Sequence, residues 1–149
     1  MDIISLELGI ALLLIFALPV VYIIHNQNKT KNVFIKKLKK AHPSVVISNI
    51  ETLGKKVLIT DTMNGMLHYG DFSTAKENII TIAVNTIKSP EVEKVLDKQN
   101  KSTLEVKLHI PYDTHKKLTI VFFDDDTGND PQIALHQASL WKGAISEMM

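Results

Sequence analysis

The sequence predicts an α+β protein: a single N-terminal transmembrane helix, then an antiparallel six- to seven-stranded sheet or partly open barrel, capped by a C-terminal helix. Three patterns indicate this. An apolar run extends from Ile3 to Ile24, apolar and polar residues alternate through the middle of the chain, and a helix-spaced apolar stripe closes it. The predicted divisions are a transmembrane anchor (1–26), a basic amphipathic juxtamembrane helix or linker (27–43) and a cytoplasmic domain (44–149).

The apolar run is long enough to cross a bilayer, whose hydrocarbon core takes about 20 apolar residues in a helix. Its uninterrupted part begins only at Leu8, after Glu7, and Pro19 is expected to bend the helix near its exit. A cleaved signal peptide is one alternative, but it needs a basic N-terminal region and a small-residue cleavage site. A buried core helix is another, but it needs other segments apolar enough to surround it. A retained anchor is therefore expected.

Orientation is predicted from the lysines next to the apolar run. Six follow it and none precedes it: Lys29, Lys31, Lys36, Lys37, Lys39 and Lys40. Lysine and arginine close to a span mark its cytoplasmic side. The sequence therefore predicts a single-pass protein of the plasma (inner) membrane, with the N-terminus outside and the C-terminal domain in the cytoplasm. All 17 basic residues are lysine, and without arginine a nucleic-acid partner is not expected.

Residues 31–41 predict a short amphipathic helix, because Phe34, Leu38 and Ala41 fall at helical spacing and the lysines occupy the other side. The pair His42-Pro43 should end it, since the residue before proline avoids helical angles. Two interpretations stay open. The helix lies on the inner leaflet, with the six lysines contacting anionic lipid head groups. Alternatively, Phe34 and Leu38 pack on the following domain and the lysines are solvated.

Six strands are predicted in the cytoplasmic domain from alternating apolar residues: 45–50, 56–61, 66–70, 78–84, 103–110 and 118–123. Asn64-Gly65 predicts a tight turn between the second and third. A helix is predicted between the fourth and fifth strands, because Ser89 and Pro90 have the residue types of an N-cap and a first helical position. It should end near Asn100.

The last predicted helix covers residues 131–148, with Asp130 as its cap. Its apolar stripe consists of Ala134, Ala138, Trp141, Ile145 and Met148. A stripe of this kind must pack on the sheet, and Ala138, Trp141 and Ile145 are predicted to make that contact.

The meander of residues 44–84, the hairpin of residues 103–123 and the final helix with its central tryptophan resemble the pleckstrin-homology-like superfold. The resemblance covers about two thirds of the chain. It implies a bent, nearly closed barrel with the helix plugging one end. Some such domains bind phosphoinositides through lysines and an arginine across the first hairpin. Only Lys55 and Lys56 match that pattern here.

No metal site is expected from the sequence. The acidic run of residues 124–130 departs from an EF-hand loop, because Gly128 stands fifth and no glutamate stands twelfth. It is interpreted as a solvated turn. The histidines form neither H-x-x-x-H nor H-E-x-x-H, and cysteine is lacking: they are His25, His42, His68, His109, His115 and His136.

No catalytic motif or cofactor-binding motif is present, so no catalytic residue and no cofactor are predicted. The chain is expected to be a non-enzymatic accessory subunit or scaffold of a membrane complex. Its partner would be an integral-membrane or membrane-associated protein, bound at an edge strand or in the groove beside the last helix. Two alternatives stay open: a peripheral sensor of anionic lipid at the inner leaflet, and a small enzyme with an unrecognised site.

Overall fold

The computed structural model describes residues 3–126 and 129–149. A short 3-10 turn at Val84–Thr86 separates the fourth and fifth strands. The other elements of this part of the chain, in order, are α1 (Ile3–Ala41), β1 (Asn49–Leu53), β2 (Lys56–Asp61), β3 (Met66–Asp71), β4 (Asn78–Ala83), β5 (Glu91–Leu96), β6 (Thr103–Tyr112), β7 (Lys116–Asp124) and α2 (Pro131–Met148).

Helix α1 joins the predicted anchor and the predicted juxtamembrane helix into one continuous element. The sequence predicted a separate short helix over 31–41, but residues 25–30 contain neither glycine nor proline, so nothing there interrupts the backbone hydrogen bonding. The helix does end at Ala41, as His42-Pro43 predicted. Its apolar window has a mean hydropathy of 2.5, and none of it is buried by the rest of the protein. This part of α1 is long and apolar enough to cross a membrane.

The strands form two antiparallel sheets. The first has the order β1-β2-β3-β4 and the second the order β5-β6-β7. An isolated bridge between Ile87 and Tyr112 links the segment after β4 to the end of β6. The predicted turn between β2 and β3 is present, and Gly65 there has a φ of 61°, which glycine adopts without strain.

The predicted helix after Ser89 is wrong, because β5 occupies that segment and pairs with β6. Val92 and Val95 are half-buried, and β-branched residues of this kind fit a pleated strand. The first strand is also displaced from its predicted position at 45–50 and lies at Asn49–Leu53. Val45 and Ile47, just before it, pack against the end of α1 instead.

The domain has two hydrophobic cores, on opposite faces of β2. Leu58 belongs to the main core, between the two sheets and α2, whereas Val57 and Ile59 belong to a smaller core with α1. This alternation follows from the period of two in a strand. In the main core Ala138, Trp141 and Ile145 of α2 are all buried. In the smaller one, which we call the α1 core, Phe34 and Leu38 are fully buried.

Candidate functional site

A concave surface runs between β1 and α2. It consists of two open clefts, of about 380 Å³ and about 230 Å³, and Glu51 of β1 lines both. Asn49–Leu53 form one wall, and residues 133–144 of α2 form the other. We call this surface the β1–α2 groove. The sequence predicted binding at an edge strand or beside the last helix, and here an edge strand and that helix share one groove.

Local sequence fixes the helical wall. Asp130 caps α2 by accepting a hydrogen bond from the Gln132 backbone N–H at 2.7 Å, and Pro131 opens the helix, as predicted. Because Ala138 and Trp141 face the main core, the adjacent face of α2 is turned to the groove. Ile133 and Leu140 lie on it seven residues apart, and each is 59% exposed. Large apolar side chains exposed in a groove mark interaction surfaces more often than isolated ones do.

The strand wall is the outer edge of the first sheet. β1 pairs with β2 from Asn49↔Thr60 to Leu53↔Lys56, and it is the terminal strand of that sheet. Across the floor of the groove, the Trp141 indole N–H (Nε1) donates to Glu51 Oε2 at 3.5 Å, a long contact. This contact joins the two walls.

The electrostatic character of the groove is acidic. Among the described residues, its charged lining side chains are Glu51, Asp124, Asp130 and Lys56. Three carboxylates against one ammonium group favour a positively charged ligand. The wider cleft also reaches Gln27 of α1, so the groove extends from α2 to α1.

The predicted membrane-contact lysines are distributed around α1. Lys29, Lys36, Lys39 and Lys40 are exposed, whereas Lys31 and Lys37 are half-buried. Lys37 forms an ion pair with Glu77, and its Nζ lies 5.9 Å from the centroid of the Phe72 ring. The basic segment therefore presents part of its charge to solvent and part to the domain.

A second polar region lies where α1 meets the domain. His42, Asp61, Asn64 and His68 line a pocket of about 220 Å³. The rings of His42 and His68 are 5.6 Å apart between centroids, and His68 Nδ1 lies 3.0 Å from Thr81 Oγ1. Among the described residues His68 Nε2 has no hydrogen-bond partner although it is buried.

The ionisation states in this pocket have clear physical causes. Burial lowers the pKa of His68, the neighbouring His42 lowers it further, and Asp61 opposes both. Burial raises the pKa of Asp61, but hydrogen bonds from Asn64 and from the Val46 backbone lower it by more, so the net shift is downward. Asp61 is thus ionised and His68 neutral at pH 7.

The sequence predicted no metal site, and the histidines considered for one lie on different elements of the fold. His68 lies in the first sheet, whereas His109 in the second bonds to Glu93 (2.7 Å) and Thr119 (3.0 Å). Within residues 3–126 and 129–149, no group of three or more histidine and acidic side chains is placed to hold a metal ion. Of the acidic run, residues 127 and 128 lie outside the described residues. The proximity of His42 and His68 has no sequence signal, since they stand on separate elements.

No family model, curated protein or solved structure matches this chain.

Proposed function

We propose that this protein is a non-enzymatic, single-pass accessory subunit or scaffold, whose cytoplasmic domain is held at a fixed place beside a membrane complex. One observation carries the proposal: α1 passes without a break from its apolar stretch into the α1 core. Phe34 and Leu38, on the same helix as the span, are fully buried against β2. A domain attached in this way follows the membrane helix as one body.

The attachment is built from well-packed apolar contacts. The Phe34 ring meets the Phe72 ring edge to face, with centroids 5.9 Å apart. Burying a side chain such as Phe34 or Leu38 contributes about 1.5–3 kcal/mol each. The Lys37–Glu77 ion pair is exposed and adds little by comparison. Rigid docking is useful for a subunit that must present a surface at a set height above the membrane.

The same proposal places the domain in the cytoplasm of a cell with a plasma (inner) membrane, because the lysines after the span favour that side. It also assigns the domain to the pleckstrin-homology-like superfold. The four-stranded and three-stranded antiparallel sheets and the buried face of α2 support that assignment. Superfolds host many functions, so this assignment adds no activity.

The continuous helix supports lipid sensing less well than it supports the subunit role, because it carries several lysines beyond the head groups. At about 1.5 Å per residue, a helix normal to the bilayer carries Lys36 and Lys40 about 18 Å and 24 Å beyond Ile24. The head-group layer on one side is only about 5–8 Å thick. Catalysis is less well supported because the described hydrogen bonds of Asp61 go to Val46 and Asn64, so Asp61 does not orient His68 as a base.

The test is native mass spectrometry of the full-length protein, extracted from its own membrane in mild detergent. We expect a stoichiometric complex with an integral or membrane-associated protein. Inserting four Gly-Ser residues after Thr30 breaks the helix between span and domain but keeps Phe34 and Leu38 in place, and it should reduce the complex. The same insertion in the exposed loop after Lys98 is the matched control. A lone monomer or homodimer would contradict the proposal.

A further inference from the structure

We propose that the β1–α2 groove binds an extended, lysine- or arginine-rich segment of a membrane partner. That segment would leave the partner's transmembrane span on the cytoplasmic side and add to β1 as a new strand. The inference rests on the proposed function and names the part of the partner that is bound. Three features of the groove support it independently.

The first feature is the backbone edge. β1 is the terminal strand of its sheet and pairs with β2 over its five residues. An edge strand presents N–H and C=O groups that an extended segment can pair with, and this gives affinity with little demand on sequence. Five residues of strand span about 16 Å, so the edge accommodates a segment of four or five residues.

The second feature is the apolar wall. Ile133 and Leu140 are each 59% exposed. They lie about 10 Å apart along α2, because they are seven residues apart and the helix rises about 1.5 Å per residue. In a strand added to β1, alternate side chains point to one face. The side chains of the added strand that point toward α2 would pack on Ile133 and Leu140 and remove them from solvent.

The third feature is charge, which determines the kind of segment. Glu51 lines both clefts, and Asp124 and Asp130 line the wider one, whereas Lys56 is the one lysine among the described lining residues. Anionic lipid head groups would be repelled by this lining. Segments on the cytoplasmic side of membrane spans carry an excess of lysine and arginine, so their charge complements the groove.

The position of the groove connects it to such segments. Gln27 borders the wider cleft and is three residues, or about 4.5 Å of helical rise, beyond Ile24. In the proposed orientation this end of the groove lies at the level of the head groups. The six lysines that follow the apolar run of this chain belong to α1 and are helical, so this basic segment is not extended, and we assign the extended segment to a different protein.

The direct test is peptide binding to the full-length protein in nanodiscs of zwitterionic lipid, measured by fluorescence anisotropy against empty nanodiscs. The probe is an octapeptide of alternating lysine and valine. One control replaces lysine by glutamate, and another carries N-methyl groups on the backbone amides of one edge. We expect the lysine peptide to bind at least about tenfold more tightly than either control, since each tenfold step is about 1.4 kcal/mol. Equal binding of the lysine and glutamate peptides would overturn the inference.

Variants locate the binding. Leu140→Lys places a repelling charge in the groove and should weaken binding about tenfold. Ser139→Lys adds the same charge at an exposed position outside the groove lining, about 100° around α2 from Leu140, and should change binding less than about twofold. Glu51→Gln should weaken binding about threefold. If Leu140→Lys and Ser139→Lys behave alike, the peptide binds elsewhere and the inference is wrong.

The outcomes separate this inference from the proposed function. A stoichiometric membrane complex without specific peptide binding would remove the groove as the docking site and leave the subunit role intact. Specific peptide binding by a protein that extracts alone would support the groove and remove the subunit role. A homodimer cross-linked through a photoreactive residue at position 140 would assign the groove to a second copy of the chain and overturn the inference.

Discussion

Phe34 of α1 lies against the backbone of Gly70 in β3, so closely that a Cβ built on Gly70 would come within 2.7 Å of two carbons of the Phe34 ring. The glycine is needed here for space, not for an unusual backbone angle. It allows the part of α1 that follows the apolar run to lie directly on the first sheet. The contact is thus a point where the sequence of the domain is adapted to the helix.

Gly70→Ala should destabilise the full-length protein by about 1–3 kcal/mol, because the added methyl group over-packs a rigid contact. The measurement is thermal unfolding in detergent, followed by the fluorescence of Trp141 in the main core. Gly143→Ala is the matched control, since nothing lies within 4 Å of its Cβ position in α2. That change should stabilise the protein by about 0.5–1 kcal/mol. Unchanged stability in Gly70→Ala would show that α1 does not dock as described.

A smaller side chain at position 34 should relieve the clash. In the Gly70→Ala background, Phe34→Leu is expected to recover part of the lost stability, although Phe34→Leu alone should be destabilising because it leaves a cavity. The double-mutant cycle from the same unfolding experiment gives the coupling energy of the two residues. Additive effects would mean that the two residues are not in contact.

Truncating the α1 core should loosen the contact between α1 and the rest of the domain. Leu38→Ala removes a fully buried side chain and is expected to cost about 2–5 kcal/mol. Val33→Ala, on the exposed side of the same helix, should cost less than about 1 kcal/mol. Urea unfolding in detergent measures both, and limited proteolysis between α1 and β1 should be faster only in Leu38→Ala. Equal costs would place α1 outside the domain.

Local signals in the sequence were sufficient for some elements. α2 begins and ends where predicted, because Asp130 and Pro131 mark its start and the apolar stripe runs to Met148. β2 also has its predicted bounds. By contrast, Ser89-Pro90 is compatible with the start of a helix and equally with the start of a strand. Only the pairing of β5 with β6 decides between the two.

Other features depend on contacts that the sequence pattern does not contain. The sequence pattern of residues 3–41 is compatible with two separate helices or with one continuous helix. The burial of Phe34 and Leu38 against β2 favours the continuous helix. For the β1–α2 groove, the sequence predicted only that an edge strand or the groove beside the last helix would bind a partner, and it named no lining residues. Its acidic lining arises because β1, β7 and the start of α2 converge, although Glu51 and Asp124 are far apart in the chain.

The stability of the protein should depend on pH near the pKa of His68. Burial and the neighbouring His42 lower this pKa below the ordinary value of 6.5, despite Asp61. Below pH 6.5 the unfolded chain therefore takes up a proton that the folded protein resists, and stability falls until the pH reaches the folded-state pKa. Thermal unfolding from pH 8 to pH 5 should show this loss.

His68→Gln should remove most of that loss, whereas His115→Gln, in the exposed turn between β6 and β7, should retain it. The lowered pKa values of Asp61 and Asp71 act in a separate window, since their contribution is present above the ordinary carboxyl pKa of 3.8 and is lost only below it. Equal pH profiles for wild type and His68→Gln would exclude His68 as the cause.

The height of the basic residues above the membrane tests the continuous helix itself. Because the chain has no cysteine, single cysteines for spin labels can replace Lys29 and Lys40 without background. A straight helix places these positions about 7.5 Å and about 24 Å beyond Ile24. In nanodiscs with nickel-chelating head groups, the label at 29 should relax strongly and the label at 40 only weakly. A label at Leu14 should respond to oxygen in the bilayer interior instead. Equal relaxation at 29 and 40 would mean that the helix bends onto the leaflet, which would favour the lipid-sensor alternative over a rigidly held subunit.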